Sequence, residues 1–111
     1  MSIKQDFKTT IDSIEHLKGN YRTIARKSEA YEIEKSSELA KELVLPDLDR
    51  LAEIAPDTDE AQEPIKKLRD NYVFLADNAT AYAIETIEDF SDRFVKDLDI
   101  LLDLMRKLHR R

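Results

Sequence analysis

Apolar residues recur along this chain at steps of three, four and seven, the spacing of one face of an α-helix, and hardly anywhere alternate as a strand would. Ile3, Phe7, Ile14, Leu17, Tyr21, Ile24 and Tyr31 form the first such track. It runs through Gly19 and Asn20 without a change of phase, so the helix is expected to continue across the glycine, at a cost of about 1 kcal/mol relative to alanine. Continued past Tyr31, the same track would bury Lys35, Glu38 and Glu42. A second track takes over instead, through Ile33, Ser37, Ala40, Val44, Leu48, Leu51 and Ala55. No Gly or Pro between residues 31 and 33 marks a turn, so the pattern predicts one helix whose buried face rotates along its length.

Pro46 is the first strong breaker, since its ring removes a donor and clashes with the carbonyl of Glu42. A kink or stop at Leu45 and a short helix to about Ile54 follow. APDTDEAQEP, residues 55–64, reads as a loop in which Asp57 and Glu60 have capping-box-like spacing and Pro64 suits a first helical turn. From there a seam runs from Ile65, Leu68, Tyr72 and Leu75 to Phe90, Phe94, Leu98, Leu101, Met105 and Leu108, with a soft spot at Asp77-Asn78. Unbroken, that helix would be roughly 65 Å long. The expected fold is therefore all-α, one domain over 1–111: an elongated hairpin of two long helices, about 3–45 and 64–108, with a short middle helix. The tyrosines at 21, 31, 72 and 82 all fall in the seams and are expected in the core.

The last third adds a demand for partners. Ile100, Leu101, Leu102, Leu104, Met105 and Leu108 cover more of the helix than one neighbour can bury. Two hairpins meeting as a homodimer, with a four-helix core, would satisfy them; so would another protein.

Composition narrows the class. Charged residues make up 38% of the chain, with one Gly, three Pro and no Cys. That excludes disulfides, thiolate metal sites and a cysteine nucleophile, and speaks against a β-protein. A signal peptide and an apolar stretch of membrane-spanning length are both missing from the pattern, so a cytoplasmic location is expected and the Asn78-Ala79-Thr80 sequon is read as chance. The net charge of −6 is uneven, with an acidic stretch over 46–63 and four basic residues in the last six. Phosphate backbones need a basic face, so direct nucleic-acid binding is not expected.

Catalytic and metal-binding patterns were sought among the acidic and histidine positions. Glu34, Glu38 and Glu42 step by four, and Glu85-x-x-Glu88 and Asp89-x-x-Asp92 supply paired carboxylates, but solvated helix faces produce such spacing routinely. His16 and His109 have no evident orienting partner, and one glycine cannot build a phosphate loop. Leu17-Lys18-Gly19 resembles the His-x-Leu-Lys-Gly signature of histidine phosphotransfer domains, over some six to ten residues. Glu15 stands at the position of that family's histidine, and His16 follows one residue late, turned about 100° around the helix. The resemblance implies a degenerate relative that binds response regulators through Lys18 and Gly19.

Two surfaces remain as binding candidates. An acidic ridge of Glu85, Glu88, Asp92, Asp99 and Asp103 shares one helix face and would suit an inhibitor that imitates a nucleic-acid backbone. The tip formed by Leu101, Leu104 and Leu108 with Arg106, Lys107, Arg110 and Arg111 would dock on an acidic partner or a membrane surface, although basic residues also complement the end of a helix dipole. The function expected is a small non-catalytic cytoplasmic interaction module, an adaptor, inhibitor or accessory subunit, with no cofactor and no metal.

Overall fold

The computed structural model describes residues 5–82, 84 and 86–111. Four helices lie antiparallel in sequence order and close into a bundle measuring 39 × 26 × 26 Å. We label them α1 (Phe7–Lys27), α2 (residues 36–54), α3 (Asp59–Asn78) and α4 (Ile87–His109). The closest pairs are α1 with α4 and α2 with α3, while α1 and α3 lie on one diagonal.

Three of the four helices, α1, α3 and α4, start where the sequence supplies a side-chain cap. The Asp6 carboxylate accepts from the N–H of Thr9 at 2.6 Å, Thr58 from Ala61 at 3.4 Å and Thr86 from Asp89 at 3.0 Å. Each satisfies one of the donors that a first turn leaves free. Thr58, not Asp57, is therefore the cap of α3. The helix begins more than a turn before Pro64, which sits inside it and leaves the carbonyl of Glu60 without its i+4 donor.

Gly19 lies inside α1, as the unbroken phase predicts, and its backbone is exposed. A Cβ built there would meet nothing within 4 Å. Gly19→Ala is thus expected to stabilise the protein by about 1 kcal/mol, through the backbone entropy of the unfolded chain. Denaturant unfolding measures it, and a loss of stability would contradict an uncrowded helical Gly19.

Two expectations of the sequence pattern are overturned. The helices of about 3–45 and 64–108 do not form, because the chain leaves the first helix after Lys27 and the third after Asn78, and reverses before the next one begins. Each turn opens with a single 3₁₀ coil, Ser28–Tyr31 and Ala79–Tyr82. The first then passes through Glu32 at φ 55°, a left-handed residue that is not glycine, so no Gly or Pro announced it. Ile33 and Ile84 re-enter the core, donating to the carbonyls of Ser28 (3.4 Å) and Ala79 (3.0 Å). Tyr31 and Tyr82, by contrast, stand exposed in these turns. The second difference is at Pro46: the short helix to Ile54 forms as expected, over Leu45–Ile54, but the chain runs into it without a stop. A π turn, Ala40–Val44, precedes it, and Leu45 donates to Ala40, five residues back. The wider turn takes up the proline without breaking α2. Ala40, Val44, Leu48, Leu51 and Ala55, the second apolar track, are all buried, but in a helix of their own.

The core is centred on four aromatic rings. Tyr21 meets Phe94 edge-on at 4.6 Å, and Tyr72 meets Phe94 at 5.0 Å and Phe90 at 5.5 Å. Leu101, Leu102, Met105 and Leu108 are buried within the same chain. The other helices of the chain cover these four, while Ile100 stays exposed and Leu104 half-buried. No helix among the described residues is long and apolar enough to cross a membrane.

Candidate functional site

The two halves of the bundle are related in sequence. From Ile14 to Glu34, nine of 21 residues recur 51 positions later: Ile14, Leu17, Asn20, Tyr21, Ala25, Ala30, Tyr31, Ile33 and Glu34 match Ile65, Leu68, Asn71, Tyr72, Ala76, Ala81, Tyr82, Ile84 and Glu85. Beyond the π turn the offset becomes 50, and Asp47-Leu48-Asp49-x-Leu51 recurs as Asp97-Leu98-Asp99-x-Leu101. The first half holds one extra residue there, and a π turn accommodates one extra residue in a helix.

Contacts repeat along with the letters. Tyr21 Oη donates to Asp47 Oδ2 at 2.7 Å, and Tyr72 Oη donates to Asp97 Oδ2 at 2.6 Å. Burial, then the Asp47 carboxylate, pushes the Tyr21 phenol far above its ordinary range. For Tyr72 the causes are burial, then the hydrogen bond to Asp97 and its charge. Between the halves, Lys18 pairs with Asp99 and Arg69 with Asp49, and these are also equivalent positions. Surface pairs of this kind add little stability; their value here is that they mark the same register twice. The hairpins α1–α2 and α3–α4 are thus two versions of one unit, facing each other.

Each hairpin carries a cleft between its own two helices. The first is lined by Thr9, Asp12, Ser13, His16, Leu17, Asn20, Asp47, Arg50, Leu51 and Ile54, and encloses about 640 Å³. The second is lined by Pro64, Lys67, Leu68, Asn71, Asp97, Ile100, Leu101 and Leu104, and encloses about 290 Å³. All eight of these are the equivalents of lining residues of the first cleft. The floors share leucine, asparagine and aspartate, and the rims have diverged. Ser13 corresponds to Pro64, His16 to Lys67 and Arg50 to Ile100. One turn beyond Asn71, at the position equivalent to Thr23, stands Phe74. Arg50 pairs with Asp47, whereas Ile100 is 70% exposed and Phe74 50% exposed, its ring edge-on to Tyr82 at 5.8 Å.

The residues singled out from sequence fall in several places. Leu101 and Leu108 are buried in the core, and Leu104 is half-buried at the rim of the second cleft. Arg106 pairs with Glu15, and Arg110 Nε donates to the carbonyl of Arg106 at 3.2 Å, so the basic tip is tied to the bundle. Asp99 is engaged by Lys18, which interrupts the acidic ridge; Glu88, Asp92 and Asp103 are exposed, and Glu85 lies outside the described residues. Glu34 stands in the turn before α2, where its N–H donates to the Glu38 carboxylate at 3.2 Å, so Glu34, Glu38 and Glu42 do not form one helical row. Among the described residues no three His, Asp or Glu side chains gather as a metal site. His16 is exposed on the first cleft, and Lys18 beside it is committed to Asp99.

Phe74 was missed as a binding position, because it reads alone as one apolar residue on a polar face, and Ile100 was counted only within the broad apolar arc of the last third. The signal that finds them is the repeat, which shows a polar residue at the equivalent position. No protein-family model, curated protein or solved structure matches the chain.

Proposed function

We propose that this protein is a small non-catalytic interaction module that receives an amphipathic helix of a partner protein along the α3–α4 cleft. The carrying observation is the exposed Ile100 beside Leu104 and Pro64, where the related hairpin has an ion-paired arginine and a serine. Phe74 extends the apolar rim by a further turn. A shallow aliphatic groove with a protruding knob favours a long apolar ridge, the mode in which one helix lies in the groove of another surface. Charges flanking it are mixed, with Lys67, Lys96 and Lys107 against Asp70 and Asp103, so the attraction is apolar and only weakly dependent on salt.

Ile100→Asp is expected to abolish capture of the partner with helix content and thermal midpoint unchanged. Leu101→Asp, by contrast, would unfold the bundle and cannot serve as a probe of binding. A photo-cross-linker at position 100, with position 50 as the control, identifies the captured peptide. A peptide with helical apolar spacing, captured from position 100 at low and high salt, supports the reading. Equal capture from both positions, or undiminished binding by Ile100→Asp, rejects it. A second copy of the chain as the captured species would replace the partner protein by a homodimer, with light scattering reading twice the mass of 12.9 kDa. Binding that vanishes at high salt and with charge reversal at Glu88, Asp92 and Asp103 would instead favour imitation of a nucleic acid.

A further inference from the structure

The α1–α2 cleft has the opposite character to its counterpart, and we infer that it binds a small apolar zwitterion of dipeptide size. Its volume, about 640 Å³, lies in the range of small-molecule sites. It is closed at one end by the Tyr21–Asp47 hydrogen bond and at the other by Thr10 Oγ1, 3.4 Å from the carbonyl of Ile54, and by Gln5 Nε2, 3.4 Å from that of Glu53. Between these ends, among the described residues, no hydrogen bond or ion pair crosses from α1 to α2. Arg50 lies along its own helix toward Asp47, which keeps the middle open. The α1 wall is a column of short polar side chains, Thr9, Asp12, Ser13, His16 and Asn20, at helical spacing. Three of the equivalent α3 positions hold the longer Glu60, Glu63 and Lys67.

Charge selects the ligand class. The cleft carries two carboxylates, Asp12 and Asp47, against one guanidinium, so a simple anion is disfavoured. Asp47 is occupied by Tyr21 and Arg50, while Arg50 retains donors beyond the one it spends. That leaves a carboxylate at Asp12 and a guanidinium at Arg50, over a floor of Leu17, Leu51 and Ile54. The antiparallel pairing of Tyr21 with Asp47 and Thr10 with Ile54 sets the Arg50 backbone near the level of His16, about one turn, or ~6 Å, along the axis from Asp12, and its side chain leans further along, toward Asp47. The two termini of an extended dipeptide are about 6–7 Å apart, and a hydrogen bond of about 3 Å at each end lets it reach from Asp12 to that guanidinium. Its ammonium would face Asp12, its carboxylate Arg50, and its apolar side chains the leucine floor.

The test uses the full chain, leucyl-leucine, its N-acetyl form and its C-terminal amide, followed by NMR titration. Leucyl-leucine is expected to move the resonances of His16, Leu17 and Leu51 and to leave Lys67 and Leu68 still. Each blocked form should bind about tenfold more weakly, the loss of one charge-assisted contact. Arg50→Gln should weaken leucyl-leucine by a similar factor without affecting the amide. Asp12→Asn, on an exposed side chain, should do so without affecting the N-acetyl form, and it carries the test should Arg50→Gln disturb the fold. Unmoved cleft resonances, equal affinity for all three compounds, or tighter binding of inorganic phosphate at the same residues would each overturn the inference.

Discussion

Phe94→Ala is expected to remove about 3–5 kcal/mol, out of the 5–15 kcal/mol typical of a chain this size. The ring is fully buried, and its loss leaves a cavity that surrounding side chains fill only in part. Two further effects fall on this residue. It meets both Tyr21 and Tyr72 edge-on, and such pairs contribute about 0.5–1.5 kcal/mol each beyond burial. Those tyrosines come from opposite hairpins, so Phe94 joins the two halves where they face each other. Phe90, equally buried, meets Tyr72 alone among the aromatic rings, and Phe90→Ala should cost less. In thermal unfolding, Phe94→Ala should lower the midpoint by about 15–25 °C. A loss below about 1 kcal/mol, or a larger loss for Phe90→Ala, would show that the aromatic centre does not hold the halves together.

The second large effect is alkaline unfolding. Tyr21 and Tyr72 both keep their protons far above the ordinary phenol range, through burial and the adjacent carboxylates. Up to pH ~10 both the folded and unfolded chains hold these protons, and the contribution to stability is whole. Above that, the unfolded chain releases two protons that the folded chain retains. Fewer protons bound in the unfolded state means that stability falls as pH rises, by about 1.4 kcal/mol per unit for each tyrosine and ~3 kcal/mol for both. The native state is therefore expected to unfold cooperatively above pH ~10–11. Lysines also titrate there, so the decisive measurement is a difference. The variant Tyr21→Phe/Tyr72→Phe, somewhat less stable at pH 7, should show a slope reduced by about 3 kcal/mol per unit over pH 10–12. An unchanged slope would mean that the phenols ionise in the folded protein as easily as in the unfolded one.

Much of this bundle was legible along the chain. The track of Ala40, Val44, Leu48, Leu51 and Ala55 identified the buried face of α2, and the constant phase through Gly19 identified a continuous α1. The turn at 28–35 was not legible, since it is made with Glu32 in a left-handed conformation where a glycine would have announced it. Without that break the two tracks read as one rotating helix. The repeat was present in the letters throughout. A search at one fixed period loses it at residue 40, because the π turn changes the offset from 51 to 50. The related clefts were hidden for a different reason: their walls come from residues about 30 positions apart, and no helical period connects them.

By itself the sequence determined the helical class and the buried faces within the helices, though not those of Tyr31 and Tyr82 in the turns, because periodicity acts locally. It also carried the duplication, since equivalent residues recur in order. Only the tertiary structure decided that the helices number four, that they close within one chain, and that two equivalent clefts have taken opposite characters. Those outcomes depend on which helix lies beside which. That choice is made by the complementary packing of Tyr21, Tyr72 and Phe94 and by the turns that reverse the chain, and it leaves no period in the sequence to read.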